Sequence, residues 1–276
     1  MNYATALRAQ LRVRAQAWAT STALPSYVSI GKQSPTVLFQ PTTTNDAHGN
    51  FQQDSWRAIQ RTPQWSARLD KPHSQQKALP LKRQKSAKEL DSSNSSDALL
   101  MNCFCYPGAS AAILSGLALP PQTEAPEFGY SPRLKLSNGS TDSTEIDMRI
   151  GSIFFEAKLT ETDFTSRTKA RVFRYAALTS VFDVDRIPAT STTFQSYQLI
   201  RNVLGSAQHG ATFVLLIDRR RPDLLKLWND LTPAITDPAV AARCNLRFWQ
   251  DVAAQSPRAL AEFLEAKYGL CVEPET

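Results

Sequence analysis

Two carboxylates and a lysine lie close together in the middle of the chain and could catalyse hydrolysis of a phosphate ester. Asp147 is followed by Glu156, and Lys158 stands two residues after Glu156. Magnesium prefers hard oxygen ligands and keeps several waters, so two carboxylates and a backbone carbonyl, here that of Ala157, can hold it. A lysine beside the metal can orient or help deprotonate the attacking water and offset charge at phosphorus. These residues predict phosphodiester hydrolysis.

The flanking sequence predicts a β-hairpin that holds both carboxylates on one face. The strands are predicted over residues 145–150 and 153–159 from alternating side chains. Gly151 and Ser152 can form the two-residue loop, with glycine first as a type II′ turn prefers. This loop places Asp147 opposite Glu156, with Cβ atoms ~5 Å apart, which destabilises a sheet unless a positive charge lies between them. A divalent cation would remove that conflict. The same register pairs apolar residues on the other face, Met148 with Phe155 and Ile150 with Ile153.

This hairpin resembles a known enzyme signature. The stretch Thr144-Glu145-Ile146-Asp147 followed by Phe155-Glu156-Ala157-Lys158-Leu159-Thr160 is similar to the motif of PD-(D/E)XK nucleases, the superfamily of many restriction endonucleases. The resemblance implies that Asp147 and Glu156 bind magnesium, with manganese as a substitute, and that Lys158 completes the catalytic site. It also implies double-stranded DNA as the substrate. Ile146 replaces the motif's proline, a position that varies among such enzymes.

The remaining elements predict an α/β fold with a restriction-endonuclease-like αβββαβ core, in which helices flank a mixed central sheet. The predicted core elements are a helix over 98–105 capped by Ser96, a strand over 133–136, the hairpin, helices over about 164–182 and 193–208, and a strand over 212–217. The long helical crossover makes the last strand parallel to 153–159. Three helices are predicted to follow, from Pro222, over 238–253 and over 257–268. Residues 96–276 form the predicted nuclease-like domain, and residues 1–95 an irregular N-terminal extension with a helix over 3–20.

Further residues could support the site. Arg167, Arg171 and Arg174 recur at helical spacing and could follow a phosphate backbone, although a solvated basic face explains them equally well. Gln198 and Arg201 lie one turn apart on the next predicted helix. The resemblance implies a catalytic Gln198, because related nucleases often direct a glutamine there, and we assign Arg201 to nucleic-acid binding. Glu89 and Glu127 are candidates for an additional acidic residue, with an ordinary surface carboxylate as the simpler interpretation of each.

Composition limits the class of protein. With 276 residues, 42% of them hydrophobic, the chain can bury a substantial core, which argues against a disordered or fibrous protein. The net charge of +6 favours a polyanionic partner such as nucleic acid. Four cysteines without disulfide-framework spacing predict a cytoplasmic protein, and the apolar run over 98–119 is too interrupted to predict a membrane helix. A homodimer is one assembly that the sequence allows. The rival functions are a non-cleaving nucleic-acid-binding module of the same fold and a purely structural hairpin.

Overall fold

The computed structural model describes residues 2–29, 35–72 and 87–270. The helices are α1 Tyr3–Thr22, α2 Gln53–Arg61, α3 Pro63–Ser66, α4 Ser96–Phe104, α5 Ala109–Gly116, α6 Lys169–Val172, α7 Leu178–Val181, α8 Tyr197–His209, α9 Pro222–Leu231, α10 Pro238–Ala241, α11 Trp249–Ala254 and α12 Arg258–Tyr268. The strands are β1 Ser26–Val28, β2 Val37–Phe39, β3 Glu127–Tyr130, β4 Leu134–Lys135, β5 Thr141–Asp142, β6 Ile146–Ile150, β7 Ile153–Ala157, β8 Arg167–Thr168, β9 Thr193–Phe194, β10 Thr212–Ile217 and β11 Cys244–Phe248. Short 3-10 helices cover Ala67–Asp70, Glu89–Asp91 and Thr232–Ala234.

The chain divides into two compact units. The first contains residues 1–123, 218–220 and 248–276, and the second contains 124–217 and 221–247. The boundary that we place between residues 95 and 96 stays a prediction. The helices and strands together confirm the predicted mixed α/β architecture, with a five-stranded mixed sheet flanked by helices.

The first unit is mostly helical. The predicted N-terminal helix is confirmed as α1, which buries Leu7 and Leu11 and contacts α12. Helix α4 starts one residue later than its cap, which is Ser95 rather than the predicted Ser96: the Ser95 hydroxyl accepts a hydrogen bond from the amide of Ala98 at 3.1 Å. Every residue of α4 is buried. This burial explains why its sequence is apolar on all sides instead of showing one apolar stripe.

Buried polar side chains connect distant segments of the first unit. The Asn50 amide donates to the carbonyl of Leu90 at 2.6 Å, and the Asn102 amide donates to the carbonyl of Asn50 at 3.0 Å. The Lys267 ammonium donates to the Asn50 side-chain oxygen and to the Tyr268 hydroxyl. Burial lowers the pKa of Lys267 well below its ordinary value. Asn50, Asn102 and Lys267 are thus hydrogen-bonded, as their burial requires.

The second unit is built on a five-stranded sheet in the order β11-β10-β7-β6-β3. Strands β6 and β7 are antiparallel, and β10 is parallel to β7, so the predicted parallel return strand is confirmed. All residues of β7 and β10 are buried, as expected for strands covered on both faces. Helix α8 contacts both of these strands. The sheet is therefore mixed.

The predicted first strand over 133–136 is wrong as a member of this sheet. Its central part, β4, pairs with β5 in a separate two-stranded ribbon, joined by a turn at Asn138-Gly139. The place beside β6 belongs instead to β3, whose Phe128 lies opposite Met148 in antiparallel register. Strand β3 is short and only partly buried, so it carries little sequence signal.

The predicted helix over 164–182 is also wrong. Backbone pairing with β4 and the turn after it replaces the helical hydrogen bonds: the Ser137 amide donates to the carbonyl of Arg174 at 2.8 Å, and the Ala176 amide donates to the carbonyl of Lys135 at 3.1 Å. Only the short helices α6 and α7 form in this region. Arg167 lies in β8, which pairs with β9.

Two further helix predictions are partly wrong for the same kind of reason. The helix expected from Thr193 begins at Tyr197, because Thr193 and Phe194 form β9. The helix expected over 238–253 is interrupted after α10 by the sheet's edge strand β11, and only α11 resumes it. The helices opened by Pro222 and following Pro257 are confirmed.

Within the described ranges no single helix is long and apolar enough to cross a membrane. The pair α4 and α5 meets those criteria only together, with a bend of 104° between the two helices.

Candidate active site

The β6–β7 hairpin brings the predicted site residues together. Met148 lies opposite Phe155 and Ile150 opposite Ile153, which confirms the predicted register. Gly151 has a φ of 51°, a positive value suited to the first position of a type II′ turn. The alternation of burial along β6 keeps Ile146, Met148 and Ile150 in the core and leaves Asp147 half-buried on the other face. Local sequence therefore fixes which side chains face the site.

Glu156 and Lys158 form a buried ion pair on β7 and just after it. The Lys158 ammonium nitrogen lies 2.7 Å from Glu156 Oε1, and the two side chains are 7% and 2% exposed. Glu156 Oε1 is buried, and the Lys158 ammonium is the charged group beside it. The backbone amide of Lys158 donates to the carbonyl of Leu216 on β10 at 2.9 Å. The parallel neighbour strand thus fixes the position of the lysine.

The surrounding carboxylates keep Lys158 charged. Burial by itself would lower the pKa of this lysine, but Glu156, Asp147 and Glu161 together raise it above its ordinary value. A protonated ammonium can donate hydrogen bonds and offset negative charge, but it cannot accept a proton. The structure therefore presents Lys158 as a positive charge and hydrogen-bond donor beside these carboxylates.

Asp147 is tied to the same strand. Its Oδ2 accepts a hydrogen bond from the backbone amide of Ala157 at 2.8 Å. The carboxylate of Asp147 therefore lies against the segment that carries Glu156, Ala157 and Lys158. Glu161, a residue that the sequence did not single out, turns back toward this segment, where its Oε2 accepts from the amide of Leu159 at 2.7 Å.

Sequence reasoning missed the residue that holds Glu156 from the opposite side. The fully buried Asn202, on α8, donates from its amide to Glu156 Oε2 at 2.6 Å. Arg201 in turn donates to Asn202 Oδ1 from Nε at 3.1 Å and from Nη2 at 2.8 Å. A polar residue one position after Arg201 was visible in the sequence, but nothing local shows that α8 covers this face of β7.

Gln198, Arg201 and Glu127 differ in burial and in the contacts that their side chains make. Gln198 is half-buried on α8, one helical turn before Asn202. Arg201 is 4% exposed and its Nη2 donates to the carbonyl of Glu145 at 2.9 Å, so its side chain lies behind the site and supports Asn202. Glu127 forms an ion pair with Arg149 at 2.8 Å, which accounts for it as a surface carboxylate.

The three arginines do not share a helical face. Arg167 lies in β8, Arg171 in the four-residue α6, and Arg174 follows that helix. All three are exposed. Their predicted contact with nucleic acid, like that of Arg201, stays a prediction.

The donor set fits a hard divalent cation. Glu156 Oε1 is a buried carboxylate oxygen beside the Lys158 ammonium, and the Asp147 carboxylate accepts from the amide of Ala157. Among the described residues no group of three or more His, Cys, Asp or Glu could hold a metal. A magnesium ion here would therefore take two carboxylates and the Ala157 carbonyl from the protein and complete its shell with water, as magnesium commonly does.

A comparison with models of known protein families shows to which family the chain belongs. Residues 29–269 match the model of a family described as restriction endonuclease associating with ARP. The chain belongs to this family. No curated protein and no solved structure gives a significant match.

Membership in this restriction-endonuclease family confirms the resemblance that the hairpin motif indicated. The match spans the whole second unit and begins well inside residues 1–95, the segment predicted as an extension. The family agrees with the mixed five-stranded sheet. It identifies the chain as nuclease-like and implies DNA as the substrate, and restriction-endonuclease-like nucleases generally use divalent metals.

Proposed function

We propose that this protein is a metal-dependent endonuclease that hydrolyses phosphodiester bonds in double-stranded DNA. One observation carries the proposal: the buried Lys158–Glu156 ion pair, with its nitrogen and oxygen 2.7 Å apart, lies on the same short segment that receives the Asp147 carboxylate. A buried charged pair adds little to stability, because desolvation offsets most of the attraction, so a functional role explains this pair better than a structural one. Two carboxylates and a lysine on one hairpin are the parts that phosphodiester hydrolysis needs.

Each residue has a distinct role in this proposal. Asp147, Glu156 and the Ala157 carbonyl would hold magnesium or manganese, which when bound activates water and neutralises charge on the phosphate. Lys158 orients the attacking water or a phosphate oxygen through its ammonium group. Asn202 keeps the Glu156 carboxylate in one orientation, and Gln198, one turn away on α8, would contact the water or phosphate.

The substrate and the setting follow from charge and composition. The net charge of +6 supports a polyanionic partner, and exposed Arg167, Arg171 and Arg174 supply positive charge in the second unit. Cys103, Cys105 and Cys244 are free thiols, which supports a cytoplasmic setting, while Cys271 lies outside the described residues. A homodimer would present two such sites to the two strands of a duplex.

The test is cleavage of plasmid and linear DNA in magnesium or manganese, with a chelator control. We expect Lys158→Ala to lower the cleavage rate by about a hundredfold or more, the usual range for loss of a donor that stabilises charge in the transition state. Lys226→Ala is the matched control, because Lys226 is 73% exposed and pairs only with Asp230 on the protein surface. We expect this control to cut DNA at the wild-type rate.

The alternative function predicts a different pattern. A non-cleaving binding module would retain DNA binding, show no cutting with either metal, and respond to neither substitution. That outcome would overturn the nuclease proposal. Cleavage that Lys158→Ala performs as fast as the wild type would also overturn the proposed role of this lysine.

A further inference from the structure

A polar pocket lies beside the segment that leads into β6. Its volume is about 220 Å³. The residues that line it all belong to the second unit: Leu136, Thr141, Asp142, Ser143, Arg171, Arg174 and Tyr175. Two arginines and three hydroxyl side chains line the pocket together with one acidic residue. The balance of charge and donors suits an anion.

The acidic residue in the pocket is occupied by internal hydrogen bonds. Asp142 Oδ1 accepts from the amide of Thr144 at 2.8 Å, and Oδ2 accepts from the Tyr175 hydroxyl at 2.6 Å. Partial burial would raise the pKa of Asp142, but the hydrogen bonds from Thr144 and Tyr175 outweigh it and lower that pKa. Both oxygens of the Asp142 carboxylate therefore accept hydrogen bonds from neighbouring residues of the pocket wall.

A chain of hydrogen bonds orders one wall of the pocket. Tyr175 donates to Asp142, and the hydroxyls of Tyr175 and Tyr197 lie 2.7 Å apart, so Tyr197 donates to Tyr175. The order from donor to acceptor is Tyr197, Tyr175 and Asp142. Tyr197 also lies close enough to Arg171 to raise the pKa of that arginine. The wall is therefore ordered before any ligand arrives, which lowers the entropy cost of binding.

We propose that this pocket binds a phosphate group of the nucleic-acid strand that the candidate active site would cut. The inference rests on the proposed function and adds a second phosphate site to it. Arg171 and Arg174 are exposed and present planar guanidinium groups, which bind phosphate oxygens through paired hydrogen bonds. The hydroxyls of Thr141 and Ser143 add neutral donors.

The position of the pocket along the chain limits the distance between the two phosphates. Asp142 in the pocket wall and Asp147 in the candidate site are joined by residues 143–146. Five residue steps span at most about 18 Å of extended chain. The side chains at both ends add to this reach, so the bound phosphate lies within about one turn of the duplex, roughly 34 Å, of the scissile bond.

A direct binding titration tests the pocket without requiring cleavage. The full-length protein, Arg174→Gln and the double variant Arg171→Gln/Arg174→Gln would be titrated with inorganic phosphate by NMR or calorimetry. We expect the double variant to lose at least about tenfold in phosphate affinity, since a hydrogen bond to a charged group contributes about 1.5–3 kcal/mol. Arg174→Gln leaves the hydrogen bonds from Tyr197 to Asp142 intact. Weaker phosphate binding by this variant therefore cannot arise from the loss of those bonds. Arg186→Gln, which removes the same charge from another exposed position of the second unit, is the matched control and should bind as the wild type does.

A comparison of DNA end groups shows whether the pocket binds a terminal or an internal phosphate. Duplexes of one sequence carrying a 5′-phosphate, a 3′-phosphate or only hydroxyl ends would be compared for binding. A terminal phosphate in the pocket makes affinity depend on the end group in the wild type and not in the double variant. An internal phosphate makes affinity independent of the end group, and the double variant then binds duplex less tightly and with a smaller salt dependence.

The outcomes separate this proposal from the nuclease proposal. If the wild type cuts DNA but the double variant binds phosphate and duplex as well as Arg186→Gln does, the pocket proposal is wrong and the nuclease proposal stands. If the double variant loses phosphate binding but no metal supports cleavage, the pocket remains an anion site and its role beside a cleavage site is overturned. Lys158→Ala should keep phosphate affinity at the wild-type level, because this lysine does not line the pocket.

Discussion

The side-chain amide of Asn202 donates a hydrogen bond of 2.6 Å to Glu156 Oε2, and both residues are buried. Because Arg201 holds the Asn202 oxygen through two N–H groups, the asparagine amide can point only its nitrogen toward the carboxylate. Glu156 is therefore left with Oε1 as the oxygen facing Lys158. The orientation of a candidate metal ligand is set by a residue that would not itself touch metal or DNA.

Removal of the Asn202 amide should weaken metal use. We expect Asn202→Ala to raise the magnesium concentration for half-maximal cleavage by about tenfold, a typical effect of losing a group that orients a metal ligand. The measurement is the cleavage rate as a function of magnesium concentration. Ser206→Ala, one turn later on α8, is the control, since its hydroxyl bonds only to the carbonyl of Val203. An unchanged magnesium dependence in Asn202→Ala would argue against the positioning role.

Replacement of Lys158 should cost stability as well as activity. In Lys158→Met the buried Glu156 carboxylate loses its positive partner, which typically destabilises a fold by about 3 kcal/mol. Urea unfolding in the presence of a chelator measures this loss. The double variant Lys158→Met/Glu156→Gln removes both charges, and we expect it to recover most of the lost stability. A double variant as unstable as Lys158→Met would show that the ion pair is not the cause.

Metal should stabilise the folded protein through Asp147. Magnesium at a hundred times its dissociation constant adds about 2.7 kcal/mol to the stability of a protein that binds it only when folded. We expect a rise in melting temperature that Asp147→Asn abolishes. Glu145→Gln serves as control, because Glu145 is an exposed carboxylate two residues earlier and the substitution changes charge equally. A rise of equal size in Asp147→Asn and the wild type contradicts the metal assignment.

Gln198 should affect cleavage without affecting folding. We expect Gln198→Ala to lower the cleavage rate about tenfold, the size expected for one hydrogen bond to a charged group. Its melting temperature should stay close to that of the wild type, since the side chain is only half-buried. Gln208→Ala, at the other end of α8, is the control for cleavage. Its side chain bonds to the backbone of Pro132, Arg133 and Lys135, so its loss should leave the cleavage rate unchanged. Equal cleavage by Gln198→Ala and the wild type would remove Gln198 from the catalytic residues.

The first unit should lose stability in mild acid through His48. Burial lowers the pKa of His48, and its hydrogen bond to Asp91 opposes this only in part. The folded state therefore keeps the histidine neutral, while the unfolded chain takes up a proton below about pH 6.5. The stability contributed by the neutral histidine is present above that pH and declines as the pH falls toward the folded-state value. Urea unfolding should show a lower free energy of unfolding at pH 5.5 than at pH 7.5, a difference that is smaller in His48→Gln. Equal losses in both proteins would exclude His48 as the source.

The hairpin could be predicted from sequence because its geometry is local. A two-residue loop and strict alternation determine the register, so Met148 and Phe155 are paired before any other element is considered. The continuous apolar run of β10 and its long connection from β7 likewise predicted a buried parallel strand. Asp147, Glu156 and Lys158 come together on one hairpin for the same reason. Residue type and spacing were sufficient for these features.

Only the tertiary structure decided the elements whose backbone partners are distant. The segment over 164–182 has helical spacing, yet the carbonyl of Arg174 accepts from Ser137, because pairing with the β4 ribbon satisfies groups that a helix would otherwise use. Strands β3 and β11 add to the sheet edges with short, partly buried sequences that carry weak signals. Asn202 contacts Glu156 across 46 residues of chain, and only the packing of α8 on β7 makes that contact. Local rules thus determined the candidate catalytic residues, and long-range packing determined how they are held.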